Sequence, residues 1–274
     1  MGGADRRRSS PRSGSAREDL IVVTGLCRSG TTWLGNLVSG FKPYRYINEP
    51  FSHWKFAECS KRFRSVLDQL HAAGAHHRWD GHNDGLVVRP EVERAVLRAF
   101  RALAWEYRDP EVAKILTLPY WALARRVWPN MRLIYIEREA HSWLSSIVRS
   151  PDIFQGTVYS PWAGPEVWRS RTYRLLPVGH RLYPLLCCLM HRKVALGGIR
   201  KALAEEAHSV YSVTYENLLG DTLGVCTGVC RYLGIPGIAE VPPTEPRREV
   251  DWSGCYYQPT DLDEACRLFD ELVV

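Results

Sequence analysis

The sequence predicts an α/β fold: a single domain in which a P-loop-like parallel sheet is flanked by helices on both faces. Strand-like apolar runs alternate with helical stretches along the chain, which is typical of a parallel sheet. The first such run, "DLIVVTG", leads into a glycine-containing turn and then a helix. The 274 residues, which show no internal repeat, are enough for one large domain.

The elements follow in order along the first half of the chain. After "DLIVVTG" a helix extends to about Val38, and "RPEVERAVLRAFRALAWEY" has the apolar spacing of an amphipathic helix with proline in its first turn. A short strand is predicted at "EVAKILTL" and a helix at "PYWALARRVWP". The stretch "MRLIYIER" has the strongest strand character, and "AHSWLSSIVRS" returns to a helical pattern.

The second half of the chain continues the alternation after an insertion rich in proline, glycine and tryptophan at 151–165. A long helical region is predicted at about 166–207, followed by a strand at "SVYSVTY". Two further helices are predicted at "DTLGVCTGVCRYLGI" and "DLDEACRLFDELVV".

The positive charge is concentrated at the start of the chain. Residues 1–17 hold five arginines and one aspartate, a net of +4 out of +6 for the whole sequence. Residues 1–18 are rich in glycine, serine and arginine and lack apolar periodicity, so we expect a disordered basic tail before a domain at 19–274. A transit peptide is an alternative for this tail, although it lacks an apolar amphipathic face. The nearly balanced charge of the domain argues against nucleic-acid binding.

The sequence shows no apolar core of a secretory signal and no run long enough to span a membrane, so we expect a cytoplasmic protein. Its eight cysteines are expected to be reduced and largely buried. They lack the paired Cys-x-x-Cys spacing of zinc sites, and no metal site is predicted.

The turn "GLCRSGTT" has the two glycines and final hydroxyl of a P-loop, but a threonine replaces the lysine. Backbone N–H groups at the start of the following helix favour an anion, and hydroxyl groups add donors. The nearby cation is Arg28, so a ligand with less charge at its transferring end than ATP, and no metal, would suit this turn. The residues predicted to hold the phosphate are Arg28, Ser29, Gly30, Thr31, Thr32 and Trp33.

A second phosphate site is predicted after the strand "MRLIYIER". Arg138 stands at the carboxyl end of this strand, where it can form a bidentate contact with a phosphate. Ser146 lies eight residues further, on the next helix. Ligands of open parallel sheets bind at the carboxyl ends of strands, so both side chains are expected at the edge that holds the glycine turn.

These segments resemble the sulfotransferases that use 3′-phosphoadenosine 5′-phosphosulfate (PAPS). "TGLCRSGTTWL" resembles their 5′-phosphosulfate loop, in the R-S-G-[ST]-T branch that includes carbohydrate and tyrosylprotein sulfotransferases, and "IYIEREAHSWLSSIVRS" resembles their 3′-phosphate motif. "VTYENLL" resembles a segment whose tyrosine lies beside the adenine, which implies this role for Tyr215; a place in the core is the alternative. "PRREVDWSG" loosely resembles the segment covering the 3′-phosphate, which implies Arg247 and Arg248. The resemblance covers about 19–252.

The resemblance also implies a general base and a group that holds the leaving oxygen. Glu49, in "INEPFSHW", matches a glutamate that deprotonates the acceptor in relatives with this loop. His53 is the alternative base, because imidazole titrates near neutral pH. Lys114 resembles the lysine of K-x-P segments that holds the leaving oxygen, but here "KILTLP" delays the proline, and Arg28 is able to do this alone.

The sequence therefore predicts a cytoplasmic, metal-independent sulfotransferase that moves a sulfuryl group from PAPS to a hydroxyl of a small molecule, most plausibly a carbohydrate or a glycosylated metabolite. The nucleotide product would be adenosine 3′,5′-bisphosphate. Segments 52–110 and 151–205 match no family motif and are expected to shape the acceptor pocket. A P-loop kinase-like enzyme that uses ATP and a non-catalytic nucleotide-binding module are the alternatives.

Overall fold

Five parallel strands form one sheet in the order β2-β3-β1-β4-β5 in the computed structural model. The structure describes residues 20–41, 45–47, 64–66, 68–69, 90–106, 113–116, 121–151, 154, 177–204, 210–236, 238, 240–241 and 252–273. The strands are β1 (Ile21–Gly25), β2 (Arg45–Ile47), β3 (Ala113–Leu116), β4 (Arg132–Glu137) and β5 (Val210–Thr214). The helices are α1 (Thr31–Gly40), α2 (Pro90–Glu106), α3 (Trp121–Arg125), α4 (Ala140–Val148), α5 (Tyr183–Ala204), α6 (Tyr215–Gly220), α7 (Thr222–Leu233) and α8 (Pro259–Val273).

Helices cover both faces of the sheet because successive side chains of each strand point to opposite sides. On β4, Tyr135 packs into a core with α4, α5 and α8, whereas Ile134 and Ile136 pack into a core with α1, α6 and α7. A third core joins β1 and β4 to α2 and α3. The buried strands β1 and β4 are nearly continuous apolar runs, as expected for a sheet covered on two sides. The predicted fold class is confirmed.

The predicted elements largely match the observed ones, with three corrections. The short helix α6 was not expected between the strand at "SVYSVTY" and the helix at "DTLGVCTGVCRYLGI". Strand β2 was not expected, because its three residues, Arg45–Ile47, are too few to show a period. The helical region predicted at about 166–207 is wrong at 177–182, where Pro177 and Gly179 lie in turns and Gly179 has a φ of 94°. Helix α5 begins only at Tyr183. Proline and glycine end regular helices, which explains the late start.

The two segments expected to shape an acceptor pocket contribute helices to the fold. Helix α2 lies in segment 52–110 and packs Val96, Phe100 and Leu103 into the core with α3. Helix α5 lies in segment 151–205 and packs its leucines against α4 and α8. These helices contribute to the core, and the expectation that the two segments shape an acceptor pocket stays a prediction. The predicted tail at 1–18 lies outside the described residues.

Two further properties were expected from the sequence. Among the helices that the structure describes, none is long and apolar enough to cross a membrane. Seven cysteines fall within the described residues and form no disulfide there. Cys187, Cys188, Cys226 and Cys230 are buried, and burial raises the pKa of the Cys187 and Cys226 thiols to about 11.

Candidate active site

The glycine turn after β1 depends on the small size of its two glycines. A Cβ on Gly25 would lie 2.3 Å from the carbonyl oxygen of Ile136 on the neighbouring strand, so only glycine fits there. Gly30 has a φ of 93°, and a Cβ on it would lie 2.6 Å from Cδ2 of Tyr215. Between them Arg28 has a φ of 67°, which non-glycine residues adopt rarely and usually at functional sites. The turn is therefore tightly built.

Helix α1 begins directly after this turn and presents its N-terminus at the carboxyl edge of the sheet. The carbonyl of Gly30 accepts the first helical hydrogen bond from Leu34 at 3.0 Å, and the first turn holds no acidic side chain. The earliest N–H groups of a helix have no acceptor within the helix, and the helix dipole adds partial positive charge. Ser29 and Thr31 are buried, whereas Thr32 is exposed. This end of α1 is suited to an anion.

The two predicted phosphate motifs meet in space. Nε of Arg28 donates to Oγ of Ser146 at 3.1 Å, although 118 residues separate them along the chain. Nη1 of Arg138 donates to the carbonyl oxygen of Arg28 at 3.1 Å, and its Nε donates to Oγ of Ser142 at 2.5 Å. Arg138 and Ser146 are each only 5% exposed. The side chains of Arg28 and Arg138 are thus both anchored where β1 and β4 end.

Tyr215 lies directly beneath Arg138. The guanidinium carbon of Arg138 is 4.0 Å from the centroid of the Tyr215 ring, a distance that gives a favourable cation–π contact. Trp33 packs edge-on against the same ring, with the two centroids 5.9 Å apart. Tyr215 is buried in the core with α1, α6 and α7. It therefore belongs to the core and also borders the predicted nucleotide site, so the two sequence-based alternatives are compatible.

Helix α4 contributes two residues that the sequence analysis did not predict, Ser142 and Trp143. Ser142 and Ser146 are one helical turn apart, and each accepts a hydrogen bond from one of the two arginines. Nε1 of Trp143 donates to the carbonyl oxygen of Cys27 at 2.7 Å, which fixes the glycine turn to α4. The spacing of four residues from Ser142 to Ser146 was a usable signal that both serines share one helix face.

A second missed group lies on the other face of β4. Nη2 of Arg192 donates to the carbonyl oxygen of Arg138 at 2.5 Å, and Arg200 lies 2.7 Å from Oε1 of Glu137. The hydroxyl of Tyr135 donates to Glu137 at 2.9 Å; burial, and then the negative charge of Glu137, raises the pKa of Tyr135. No local sequence signal links α5 to Arg138, because 54 residues separate Arg192 from it.

Several predicted site residues fall outside the described part of the chain, namely Glu49, His53, Arg247 and Arg248. For Lys114 the backbone register is known: it pairs with Ile21, the first residue of β1, whereas the glycine turn follows Gly25. Four strand residues span about 13 Å. The contact of Lys114 with the leaving oxygen stays a prediction, as does the alternative in which Arg28 serves alone.

A parallel sheet with a glycine turn and a helix N-terminus at its carboxyl edge defines this protein as a P-loop-like α/β protein. Among the described residues, no group of three or more His, Cys, Asp or Glu side chains is arranged to hold a metal ion. The sequence from residue 20 to residue 240 matches the family model described as "Sulfotransferase family". This match spans most of the chain, so the protein belongs to the sulfotransferase family and is an enzyme that transfers sulfate.

The similar solved structures are distant in sequence. The sulfotransferase STF1 from Mycobacterium tuberculosis H37Rv has a TM-score of 0.53 at 14% identity, over 94% of this chain and 76% of that chain. A sulfotransferase from Alicyclobacillus acidocaldarius has a TM-score of 0.48 at 14% identity, over 93% of both chains. No curated protein matches this chain. The resemblance seen in the sequence is confirmed at the level of the family.

Proposed function

We propose that this enzyme transfers a sulfuryl group from PAPS to a hydroxyl of a small-molecule acceptor, a carbohydrate or a glycosylated metabolite. The observation that carries the proposal is the contact between the two phosphate motifs, in which Arg28 bonds Ser146 while Arg138 bonds the backbone of Arg28. Two guanidinium groups and a serine hydroxyl at the N-terminus of α1 fit a nucleotide with two separate phosphate groups. PAPS would supply the sulfuryl group.

The proposed roles of the residues follow from this arrangement. The loop residues Ser29 to Trp33 and Arg28 hold the 5′-phosphosulfate end through N–H groups, hydroxyls and charge. Arg138 and Ser146 hold the 3′-phosphate, with Arg247 and Arg248 covering it. Tyr215 borders the adenine. Because Arg28 and Arg138 are held by Ser146 and Ser142, they need little reorganisation to meet the ligand, which favours binding.

The transfer step needs a base for the acceptor and a cation for the leaving group. We assign the base to Glu49, which takes the hydroxyl proton as the acceptor oxygen bonds to sulfur. Arg28 stabilises the negative charge that develops on the bridging phosphate oxygen as its bond to sulfur breaks. Ile47, the last residue of β2, pairs with Ile115 of β3, which in turn pairs with Val22 of β1. Glu49 follows Ile47 two residues later along the chain. His53 is the alternative base.

The acceptor class, the independence from metal and the cellular location are proposed in addition to membership of the sulfotransferase family. The acceptor is assigned by the R-S-G-T-T loop, which resembles the branch acting on carbohydrates and tyrosylproteins. No metal is required, because arginine replaces the lysine and Mg²⁺ of nucleotide hydrolases. The cytoplasm is proposed as the location, because the absence of disulfides among the seven described cysteines suits a reducing compartment.

A transfer assay tests the function directly. PAPS labelled with sulfur-35 is incubated with the full chain, excess EDTA and a panel of hydroxyl compounds that includes sugars, glycosides and tyrosyl peptides. We expect label in a sugar or glycoside, and a loss of about 10²–10³-fold in rate for Arg28→Ala. A strict requirement for Mg²⁺, or phosphate transfer from ATP, would contradict the proposal. Label found only in the tyrosyl peptides would overturn the acceptor class.

A further inference from the structure

The peptide group between Arg138 and Glu139 is held from two sides by charged side chains. Nη2 of Arg192, on α5, donates to the carbonyl oxygen of Arg138 at 2.5 Å. The N–H group of Glu139 donates to the two carboxylate oxygens of Glu216, on α6, at 3.3 and 3.4 Å. The C=O and N–H groups of a trans peptide point in opposite directions, so a cation and an anion from two helices hold one peptide group between them. We call this arrangement the peptide clamp.

The peptide clamp lies at the junction between β4 and α4. The pairing of β4 with β5 ends at Glu137, and Glu139 is the N-cap of α4. In a capping box, the N–H group of the N-cap residue is satisfied by a Glu or Gln three residues later. Here that position holds Ser142, whose hydroxyl accepts from Nε of Arg138 instead, and the first turn of α4 has no acidic side chain. Glu216 therefore supplies from another helix the carboxylate that α4 does not provide.

Arg192 is itself held in position. Its side chain is only 15% exposed, and its Nη2 lies 3.6 Å from Oε1 of Glu137. Glu137 in turn accepts from the hydroxyl of Tyr135 at 2.9 Å and lies 2.7 Å from Nη2 of Arg200. A guanidinium group placed between a carbonyl oxygen and an anchored carboxylate makes a directional, charge-assisted contact with the carbonyl. Arg192 is thus suited to fix the orientation of a peptide group.

The peptide clamp determines the direction in which the Arg138 side chain leaves the backbone. The sheet fixes the chain before Arg138, and the clamp fixes the peptide group after it. The side chain then donates to Ser142 and to the backbone of Arg28, and its guanidinium lies over the ring of Tyr215. A rotation of the clamped peptide group would displace the guanidinium from these contacts.

We propose that Arg192 and Glu216 are positioning residues that hold Arg138 ready for a phosphate and thereby set the preference of the nucleotide site for a 3′-phosphate. This role rests on the proposed function, which assigns Arg138 to the 3′-phosphate. Arg192 and Glu216 act through the peptide group and do not contact the nucleotide. A side chain that is already ordered loses little conformational freedom on binding, so the clamp increases the affinity for the 3′-phosphate and not for the rest of the nucleotide.

Calorimetric titration of the full chain with adenosine 3′,5′-bisphosphate and adenosine 5′-phosphate tests this role. The ratio of the two dissociation constants measures the 3′-phosphate preference. Arg192→Met and Glu216→Ala are each expected to lower this preference about three- to tenfold, because one contact with the peptide group is lost. The affinity for adenosine 5′-phosphate should change little. Arg192→Lys keeps a charged donor and Glu216→Gln keeps an acceptor, so these two variants should retain most of the preference.

Two matched controls remove the same kinds of contact elsewhere. Nη1 of Arg132, at the opposite end of β4, donates to the carbonyl oxygen of Tyr232 at 2.8 Å. Oδ1 of Asp221 accepts from the N–H group of Gly224 at 2.9 Å at the start of α7. Arg132→Met and Asp221→Ala are expected to lower the stability of the fold and to leave the 3′-phosphate preference unchanged, since neither touches Arg138.

The possible results separate this inference from the proposed function. A wild-type preference that stays unchanged in folded Arg192→Met and Glu216→Ala would overturn the peptide clamp alone. An equal loss of preference in the two controls would show an effect of stability in general and would also overturn it. If Arg192→Met does not fold, the comparison of Glu216→Ala with Glu216→Gln decides. Equal affinity of the unaltered protein for both nucleotides would overturn the proposed 3′-phosphate site, and the clamp's role with it.

Discussion

Arg138 is the residue on which the nucleotide assignment depends most. It is buried, its Nε and Nη1 donate to Ser142 and to the backbone of Arg28, and its guanidinium lies over Tyr215. These contacts fix its position but leave the charge at the carboxyl edge of the sheet. A phosphate is a suitable further partner for an arginine in this position, because a guanidinium group can donate two hydrogen bonds to it.

The first prediction is that Arg138→Ala selectively weakens nucleotides that carry a 3′-phosphate. We expect the affinity for adenosine 3′,5′-bisphosphate to fall by about 2–3 kcal/mol, the value of a charge-assisted contact, while that for adenosine 5′-phosphate changes little. Isothermal titration measures both. Arg231→Ala, an exposed arginine on α7, is the matched control and should change neither. Equal weakening of both nucleotides by Arg138→Ala would contradict the 3′-phosphate assignment.

The second prediction concerns the base. Glu49→Gln keeps the shape of the side chain and removes the proton acceptor, so sulfuryl transfer should fall by about 10²–10⁴-fold. The bisphosphate affinity should stay close to that of the wild type, because the carboxylate is assigned to the acceptor side. Initial rates with labelled PAPS and calorimetry give the two values.

His53→Ala is the internal control for this prediction and should cost far less activity than Glu49→Gln. If His53→Ala were inactive and Glu49→Gln were active, His53 and not Glu49 would be the general base. A glutamine variant that folds but no longer binds the bisphosphate would show that Glu49 supports the nucleotide site and is not the base.

At the scale of elements, helix α4 holds the site together. It supplies the serine partners of both arginines, and Trp143 ties it to the glycine turn. The glycine turn depends on Gly30, because a Cβ at this position would clash with the ring of Tyr215, the first residue of α6. The site is therefore built where β1, β4 and β5 pass into α1, α4 and α6.

The third prediction contrasts two glycines. Gly30→Ala places a Cβ 2.6 Å from Tyr215 at a φ of 93°, so we expect lower stability and a loss of bisphosphate binding. Gly197→Ala, on α5 with no atom within 4 Å of the new Cβ, should raise the free energy of unfolding by about 0.5–1 kcal/mol. Calorimetric melting with and without the bisphosphate measures both. Gly30→Ala with wild-type melting and binding would disprove the tight turn.

At the scale of the whole molecule, turns and longer helices and strands could be predicted from the sequence. The pairing of strands and the packing of helices could not. The turn at Gly25 and Gly30 could be predicted because a strand, two glycines and a helix follow one another along the chain. Strand β2 was not predicted because its three residues are too few to show an alternation of apolar and polar side chains. The place of Lys114 depends on the register of β3 against β1, which no local pattern encodes.

The same difference between local features and tertiary contacts explains which site residues could be predicted from the sequence. Arg28, Arg138, Ser146 and Tyr215 were found because each lies in a segment with a family resemblance, and the structure brings all four together. Arg192 was missed because its contact with the Arg138 carbonyl requires α5 to pack on β4. Side chains that act through tertiary packing leave no spacing signal in a single sequence.

The most direct test of the whole account is to compare three nucleotides on the unaltered protein. Calorimetric titration should show adenosine 3′,5′-bisphosphate binding about tenfold or more tightly than adenosine 5′-phosphate, because Arg138 and Ser146 gain a second phosphate. Its affinity should be the same with and without EDTA, and it should exceed that of ATP with Mg²⁺. Equal affinity for the mono- and bisphosphate, or tighter binding of ATP with Mg²⁺, would contradict a site built for PAPS.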